Sequence, residues 1–258
     1  MPVSLLEYFR VRDWVHTLGI PILGVVYSLG TNALSSSLVL AILTGAFGIS
    51  FAYSFDSVFE EFGISRRLLP SIAALFLAFA CSLIAGTVSF ALTLACALLI
   101  FAYDIPPLRL KSMPVAVTAA NAIGFSLLFL IGTSTAGGIT TQGIMIALLI
   151  ALISIPVQMV HETEHYKKDR SKKIITTAVK FGTRFTKHAI RLSIVIALLY
   201  SLTLLISGFS YALFVASALY LGAFLALTIP ETKNMRMYVR CISIIFGIML
   251  LIIFISGL

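Results

Sequence analysis

The strongest constraint on this chain is a succession of long, almost uncharged apolar stretches, each near the length that carries a helix across a bilayer. A hydrocarbon core about 30 Å thick takes about 20 apolar residues in helical form. The stretches fall at residues 14–30, 38–59, 68–85, 88–103, 113–133, 142–163, 187–207, 210–229 and 238–257. They predict an all-α, polytopic transmembrane helical bundle of about nine spans. Two breaks are very short, at 82–89 around Gly86 and Thr87 and at 207–210 around Gly208, and each is expected to be a tight turn between antiparallel helices.

Composition agrees with that reading. Of the 258 residues, 60% are hydrophobic and only 11% charged, too apolar for an ordinary soluble domain. Arg10 and Arg12 before an apolar run look like the start of a signal peptide. No small-residue cleavage site leading into a soluble domain comes after it, so a retained first span is expected. Cys81, Cys96 and Cys241 lie inside apolar runs without metal or redox spacing and read as small buried hydrophobes.

The formal net charge of +8 first reports topology, because basic residues gather on the cytoplasmic side of membrane proteins. No nucleic-acid partner is implied. All 18 Lys and Arg and all 10 Asp and Glu lie in or beside the N-terminus and alternate connections: 7–13, 56–67, 104–111, 162–191 and 231–240. The intervening loops, such as 31–37 and 134–142, carry none. The charged loops and the N-terminus are therefore expected to be cytoplasmic. Topology accounts for the basic residues but not for the acidic ones, which contribute little to orientation. Ionisable residues at span ends are functional candidates by default.

Three constellations concentrate the chemistry. The first closes the second span, where Asp56 and Glu60 stand four residues apart on one helical face beside Tyr53, with Arg66 and Arg67 just beyond. Two like charges at that spacing repel. A hard divalent cation such as Mg²⁺, ligated by oxygen, would relieve the repulsion, as would neutralisation by the two arginines. The second ends the sixth span, where Ser154, Gln158, Glu162, His165 and Asp169 form one polar stripe that is expected to face a cavity. Beyond it lies a basic cluster including Lys173, suited either to phosphate oxygens or to anchoring at the membrane surface. The third runs from Tyr103 to Lys111, where Pro106 and Pro107 end a helix and stiffen a turn that aims Arg109 and Lys111. Within the second constellation, His161, Glu162 and His165 also match the HExxH pattern of zinc proteases, which further requires a third protein ligand.

Placed on about nine spans, these segments resemble the UbiA superfamily of intramembrane prenyltransferases. The Tyr103–Lys111 segment is similar to the family's Tyr-Ser-x-Pro-Pro-Leu-Arg-Leu-Lys turn. The run from Asp169 through Arg170, Lys173, Thr177 and Val179 to Gly182 resembles the stretch at and beyond the end of the family's second aspartate-rich motif. The resemblance covers essentially the whole chain, 1–258, as a single domain. It implies a central cavity open to the cytoplasmic side, Mg²⁺ held by Asp56, Glu60, Glu162 and Asp169 as metal and catalytic residues, and a polyprenyl diphosphate donor. Tyr53, Arg66, Arg67, Tyr103, Arg109, Lys111, His165 and Lys173 would bind substrate. The implied partners are a hydrophobic or aromatic acceptor and membrane lipid. The chain also departs from the pattern: Ala52 and Tyr53 stand where Asn and the first Asp are usual, Glu60 stands at the last Asp, and His165 at the penultimate Asp of the second motif. A relative that has lost catalysis and binds a prenyl or lipid ligand is thus the alternative, with an HExxH protease behind it.

Overall fold

An apolar stretch in lipid must satisfy its backbone hydrogen bonds internally, and a helix does so along its whole length. The computed structural model describes residues 4–228 and 235–257. In chain order the helices are α1 (Leu5–Tyr8), α2 (Val11–Trp14), α3 (Gly19–Leu29), α4 (Ser36–Phe62), α5 (Leu69–Ala85), α6 (Thr87–Asp104), α7 (Ala116–Thr135), α8 (Thr141–Ser171), α9 (Thr177–Phe181), α10 (Thr183–Ile206), α11 (Tyr211–Thr228) and α12 (Met235–Ser256). Nine segments among the described residues are long and apolar enough to cross a membrane, matching the expected nine. The chain is an integral membrane protein. The opening of the expected charged stretch at 231–240 lies outside the described residues.

The short breaks are turns as expected. A single residue, Gly86 at φ 138°, joins α5 to α6, a backbone conformation that side chains with a Cβ rarely adopt. The first span differs from the expected continuous helix over 14–30. It is broken by a 3-10 turn at Val15–Leu18 before α3 begins. Pro21 falls in the first turn of α3, where a missing N–H costs nothing because those donors have no helical partner. The sixth span differs in the other direction. Helix α8 continues past 163 to Ser171, and its 31 residues rise about 46 Å, more than the hydrocarbon core. His165 and Asp169 therefore stand on helix, as the stripe expected. Of the cysteines expected to be buried, Cys241 is exposed and the other two are half-buried.

The chain divides into two units, Met1–Pro106 with Leu127–Gly143 and Pro107–Ser126 with Ile144–Leu258. In the first, α3 meets the second half of α7 through two glycines. A Cβ on Gly24 would run into the Phe129 carbonyl, and one on Gly132 into the Pro21 carbonyl. Small residues let helix backbones approach this closely in lipid, where packing replaces the hydrophobic effect. Helices α4, α5 and α6 share a core of Phe51, Phe55, Val58, Leu68, Leu75 and Ala97. Phe101 meets Phe51 and Phe55 edge-on at 5.5 and 5.3 Å between centroids. In the second unit α10, α11 and α12 pack in sequence, with Tyr220 stacked on Phe246 at 4.6 Å and its hydroxyl 3.1 Å from Ser243 Oγ. Large apolar side chains such as Phe76, Ile84 and Ile252 are well exposed, as lipid-facing residues are.

Candidate functional site

In the first unit the candidate residues gather at the C-terminal end of α4. At 100° per residue, Tyr53, Asp56, Ser57 and Glu60 fall within roughly a third of the helix circumference. Asp56 is half-buried and Glu60 exposed. The N-terminal segment lies over this end. The Tyr8 hydroxyl donates to the Arg67 carbonyl at 2.6 Å and meets Ser71 Oγ at 2.9 Å. The buried Trp14 indole donates to the Phe9 carbonyl at 2.7 Å, which closes the segment on itself.

Arg10 is a residue that motif spacing does not single out. Its Nε and Nη2 both lie 2.9 Å from Asp13 Oδ2, and Nη1 donates to Ser57 Oγ at 3.2 Å. Its guanidinium stands 5.5 Å from the Tyr53 ring centroid. Ser57 in turn donates to the Tyr53 carbonyl at 2.7 Å. The Arg10 backbone is held at φ 52°, a left-handed conformation that a non-glycine residue adopts at a cost of about 1 kcal/mol or more. Three of its five N–H groups are occupied by these contacts. A fixed cation thus stands on the face that carries Asp56 and Glu60. Arg67 is exposed, its guanidinium 3.8 Å from the Phe62 ring centroid, and Arg66 beside it is exposed as well. Tyr103 is half-buried on the last turn of α6.

In the second unit Arg109 is exposed at φ 36° and opens a 3-10 turn, Leu110–Ser112, in which Lys111 is buried. The stiff Pro106-Pro107 turn thus yields one cation facing solvent and one taken inside. On α8, His165 and Asp169 are half-buried, and the His161 and His165 rings lie 4.3 Å apart. Lys173 is exposed, with a left-handed backbone at φ 57° in the turn after α8. Ser154 is buried and donates to the Ile150 carbonyl at 2.7 Å.

Glu162 differs most from its expected setting. The stripe predicted a carboxylate open to a cavity, yet Glu162 is 1% exposed and both oxygens are engaged. Oε1 accepts from Thr118 Oγ1 at 2.7 Å and Oε2 from the Thr177 N–H at 2.9 Å. Spacing on α8 reveals which face the residue occupies but not that α7 and the start of α9 cover it. Among the described residues no group of three His, Cys, Asp or Glu side chains could hold a metal ion, so the HExxH pattern finds no third ligand there.

The UbiA prenyltransferase family model matches residues 62–236. No curated protein matches the chain. Among solved structures, a UbiA homolog from Archaeoglobus fulgidus bound to Cd²⁺ aligns with a TM-score of 0.81 at 21% identity, covering 98% of this chain and 99% of that one. The same homolog bound to GPP and Mg²⁺ aligns with a TM-score of 0.81 at 19% identity over 98% and 99%. A structure of digeranylgeranylglyceryl phosphate synthase aligns with a TM-score of 0.69 at 17% identity over 98% and 96%. At these identities the likeness establishes a shared fold.

Proposed function

Because the chain belongs to the UbiA prenyltransferase family, we propose that it transfers a prenyl group from a polyprenyl diphosphate to a lipophilic or aromatic acceptor inside the membrane. The observation that carries this reading is the α4 end, where two carboxylates four residues apart share a face with a fixed guanidinium. That pairing of opposite charges suits a metal diphosphate. The A. fulgidus homolog has been solved with GPP or DMAPP together with Mg²⁺.

The donor set fits Mg²⁺, which takes hard oxygen ligands and is usually held by one or two carboxylates with water and phosphate completing its shell. A cluster of three protein ligands is not needed. Asp56 and Glu60 are the proposed ligands in the first unit; in the second, taken by itself, Asp169 is the candidate carboxylate. When bound, Mg²⁺ would neutralise charge on the departing diphosphate.

The protein's own groups supply the rest. In the first unit Arg10, Arg66 and Arg67 would attract diphosphate oxygens, with the guanidinium groups able to grip two at once; in the second, taken by itself, Arg109, Lys111 and Lys173 are the candidate phosphate-binding cations. Tyr53, Tyr103 and His165 complete the proposed substrate contacts. The allylic carbon–oxygen bond breaks with its electron pair leaving on the diphosphate. The acceptor then attacks the carbon and gives up a proton. A fixed cation such as Arg10 beside the leaving oxygens would stabilise that charge as it develops, without reorganising at the moment of reaction. The charged ends are proposed to face the cytoplasm by the positive-inside rule.

A second reading, a relative that binds a prenyl diphosphate without turning it over, draws support from Tyr53 and His165 at acidic motif positions and from the engaged oxygens of Glu162. A transfer assay with short and long prenyl diphosphates across several acceptors, on purified protein with Mg²⁺, separates the two. Turnover supports the first reading, donor binding without turnover the second, and absence of both contradicts each.

A further inference from the structure

Glu162, Thr118 and Thr177 form a buried polar network, at 1%, 3% and 1% exposure respectively. Thr177 is its hub. Its N–H donates to Glu162 Oε2 at 2.9 Å, and its hydroxyl accepts from the Val115 N–H at 3.0 Å. Val115 has φ 68°, which is costly for any residue with a Cβ and most of all for a β-branched one. This strained residue is the last before α7 and comes just after the turn that carries Arg109 and Lys111. A strained conformation persists only where surrounding contacts over-determine it. The Val115 carbonyl accepts from the Ala119 N–H of α7 at 2.9 Å, and the contact that ties this residue to the rest of the unit runs from its N–H to Thr177, itself held by Glu162.

We propose that Glu162 is a positioning residue: acting through Thr177, it fixes the backbone at Val115 and thereby the direction of the basic turn at 109–112, and it does not ligate a cation. Each oxygen keeps a second lone pair, but at 1% exposure α7 and the start of α9 close over both, so a cation could approach only by displacing the donors held at 2.7 and 2.9 Å. Releasing them would strand a threonine hydroxyl and a backbone amide, and with them the support of Val115. The shape of the network is what matters, and a charge is not required for it. In Glu162→Gln the amide oxygen can accept from the Thr177 N–H while the amide nitrogen donates to Thr118 Oγ1, whose hydroxyl can reverse its role.

The inference rests on the proposed diphosphate chemistry for its functional consequence, and the test separates the two. Purified protein in lipid nanodiscs is titrated with inorganic pyrophosphate at several Mg²⁺ concentrations, and amide hydrogen exchange is monitored over 107–117. Glu162→Ala and Thr177→Ala are expected to speed exchange over that segment and to weaken pyrophosphate binding about tenfold, the effect of stranding one buried polar partner. Glu162→Gln is expected to stay within about twofold of the parent, a difference of less than one hydrogen bond, with the same Mg²⁺ midpoint. Should Glu162→Ala not fold, Thr177→Ala tests the relay without touching the carboxylate. A Glu162→Gln variant as impaired as Glu162→Ala, with a displaced Mg²⁺ midpoint, would overturn the inference in favour of a ligand. Unchanged exchange in Thr177→Ala would overturn it as well. If the parent protein binds no pyrophosphate, the proposed function fails, and exchange over 107–117 alone decides on the relay.

Discussion

Gly132→Ala adds one methyl group where α7 crosses α3, and its cost can be worked from the backbone. The new Cβ would sit 2.9 Å from the Pro21 carbonyl carbon and 3.0 Å from Gly24 Cα, against 3.4 Å or more for ordinary contact, with the Pro21 carbonyl oxygen closer still. Every obstacle is main chain, so no rotamer change relieves the overlap and the two helices must part. Overpacking of this kind costs about 1–3 kcal/mol. Against it stands the intrinsic gain of alanine over glycine in a helix, about 1 kcal/mol at most. Rigid main-chain obstacles put the overlap in the upper part of that range, about 2–3 kcal/mol, so net destabilisation of about 1–2 kcal/mol after the helix gain corresponds to a fall in melting temperature of roughly 2–8 °C for a chain of this size. Gly48→Ala in α4 is the control, since nothing lies within 4 Å of its added Cβ. It should be neutral or stabilising by up to about 1 kcal/mol. Thermal unfolding monitored by circular dichroism in one detergent compares the two. Gly24→Ala should resemble Gly132→Ala, and the double variant should cost less than the sum, because both push the same backbones apart. Equal melting temperatures for Gly132→Ala and Gly48→Ala would refute the close crossing.

Single contacts set three other outcomes. Tyr8→Phe removes the hydroxyl shared by the Arg67 carbonyl and Ser71, and should cost about 1 kcal/mol and speed amide exchange over residues 4–14 with little change in α5. Arg10→Gln should weaken pyrophosphate binding about fivefold at low salt, an effect that fades as ionic strength rises because the group is well exposed. Arg109→Gly relieves a left-handed backbone while deleting a cation, so stability should change by less than about 1 kcal/mol as pyrophosphate affinity falls.

How much of the fold is legible in the sequence can be judged from particular residues. Nine almost uncharged runs of about 20 residues in a 258-residue chain are too many for a protein core to bury, so the spans are legible, and Gly86 marks a one-residue turn that few other residues could make. The ends of α8 and of the first span are not, because helix extension past hydrocarbon and a break at Val15–Leu18 depend on what each end packs against. At the candidate site, the Asp56 and Glu60 pair and the Pro-Pro turn stand out through charge and rigidity. Thr118 and Thr177 do not, since a threonine in an apolar run carries no signal until its partner is known, and their partner Glu162 lies 44 and 15 residues away. Arg10 carries only a topological signal in the sequence. Its place beside Tyr53 and Ser57 arises from a contact spanning 47 residues.

The central claim, that this chain handles a prenyl diphosphate through its acidic helix end, is tested most directly by equilibrium binding of geranyl diphosphate to the purified protein with and without Mg²⁺, beside Asp56→Asn. Saturable binding that Mg²⁺ strengthens is expected, weakened at least about tenfold in Asp56→Asn through loss of a charged interaction with the bound ligand. No saturable binding with Mg²⁺ present, or binding unchanged in Asp56→Asn, would contradict it.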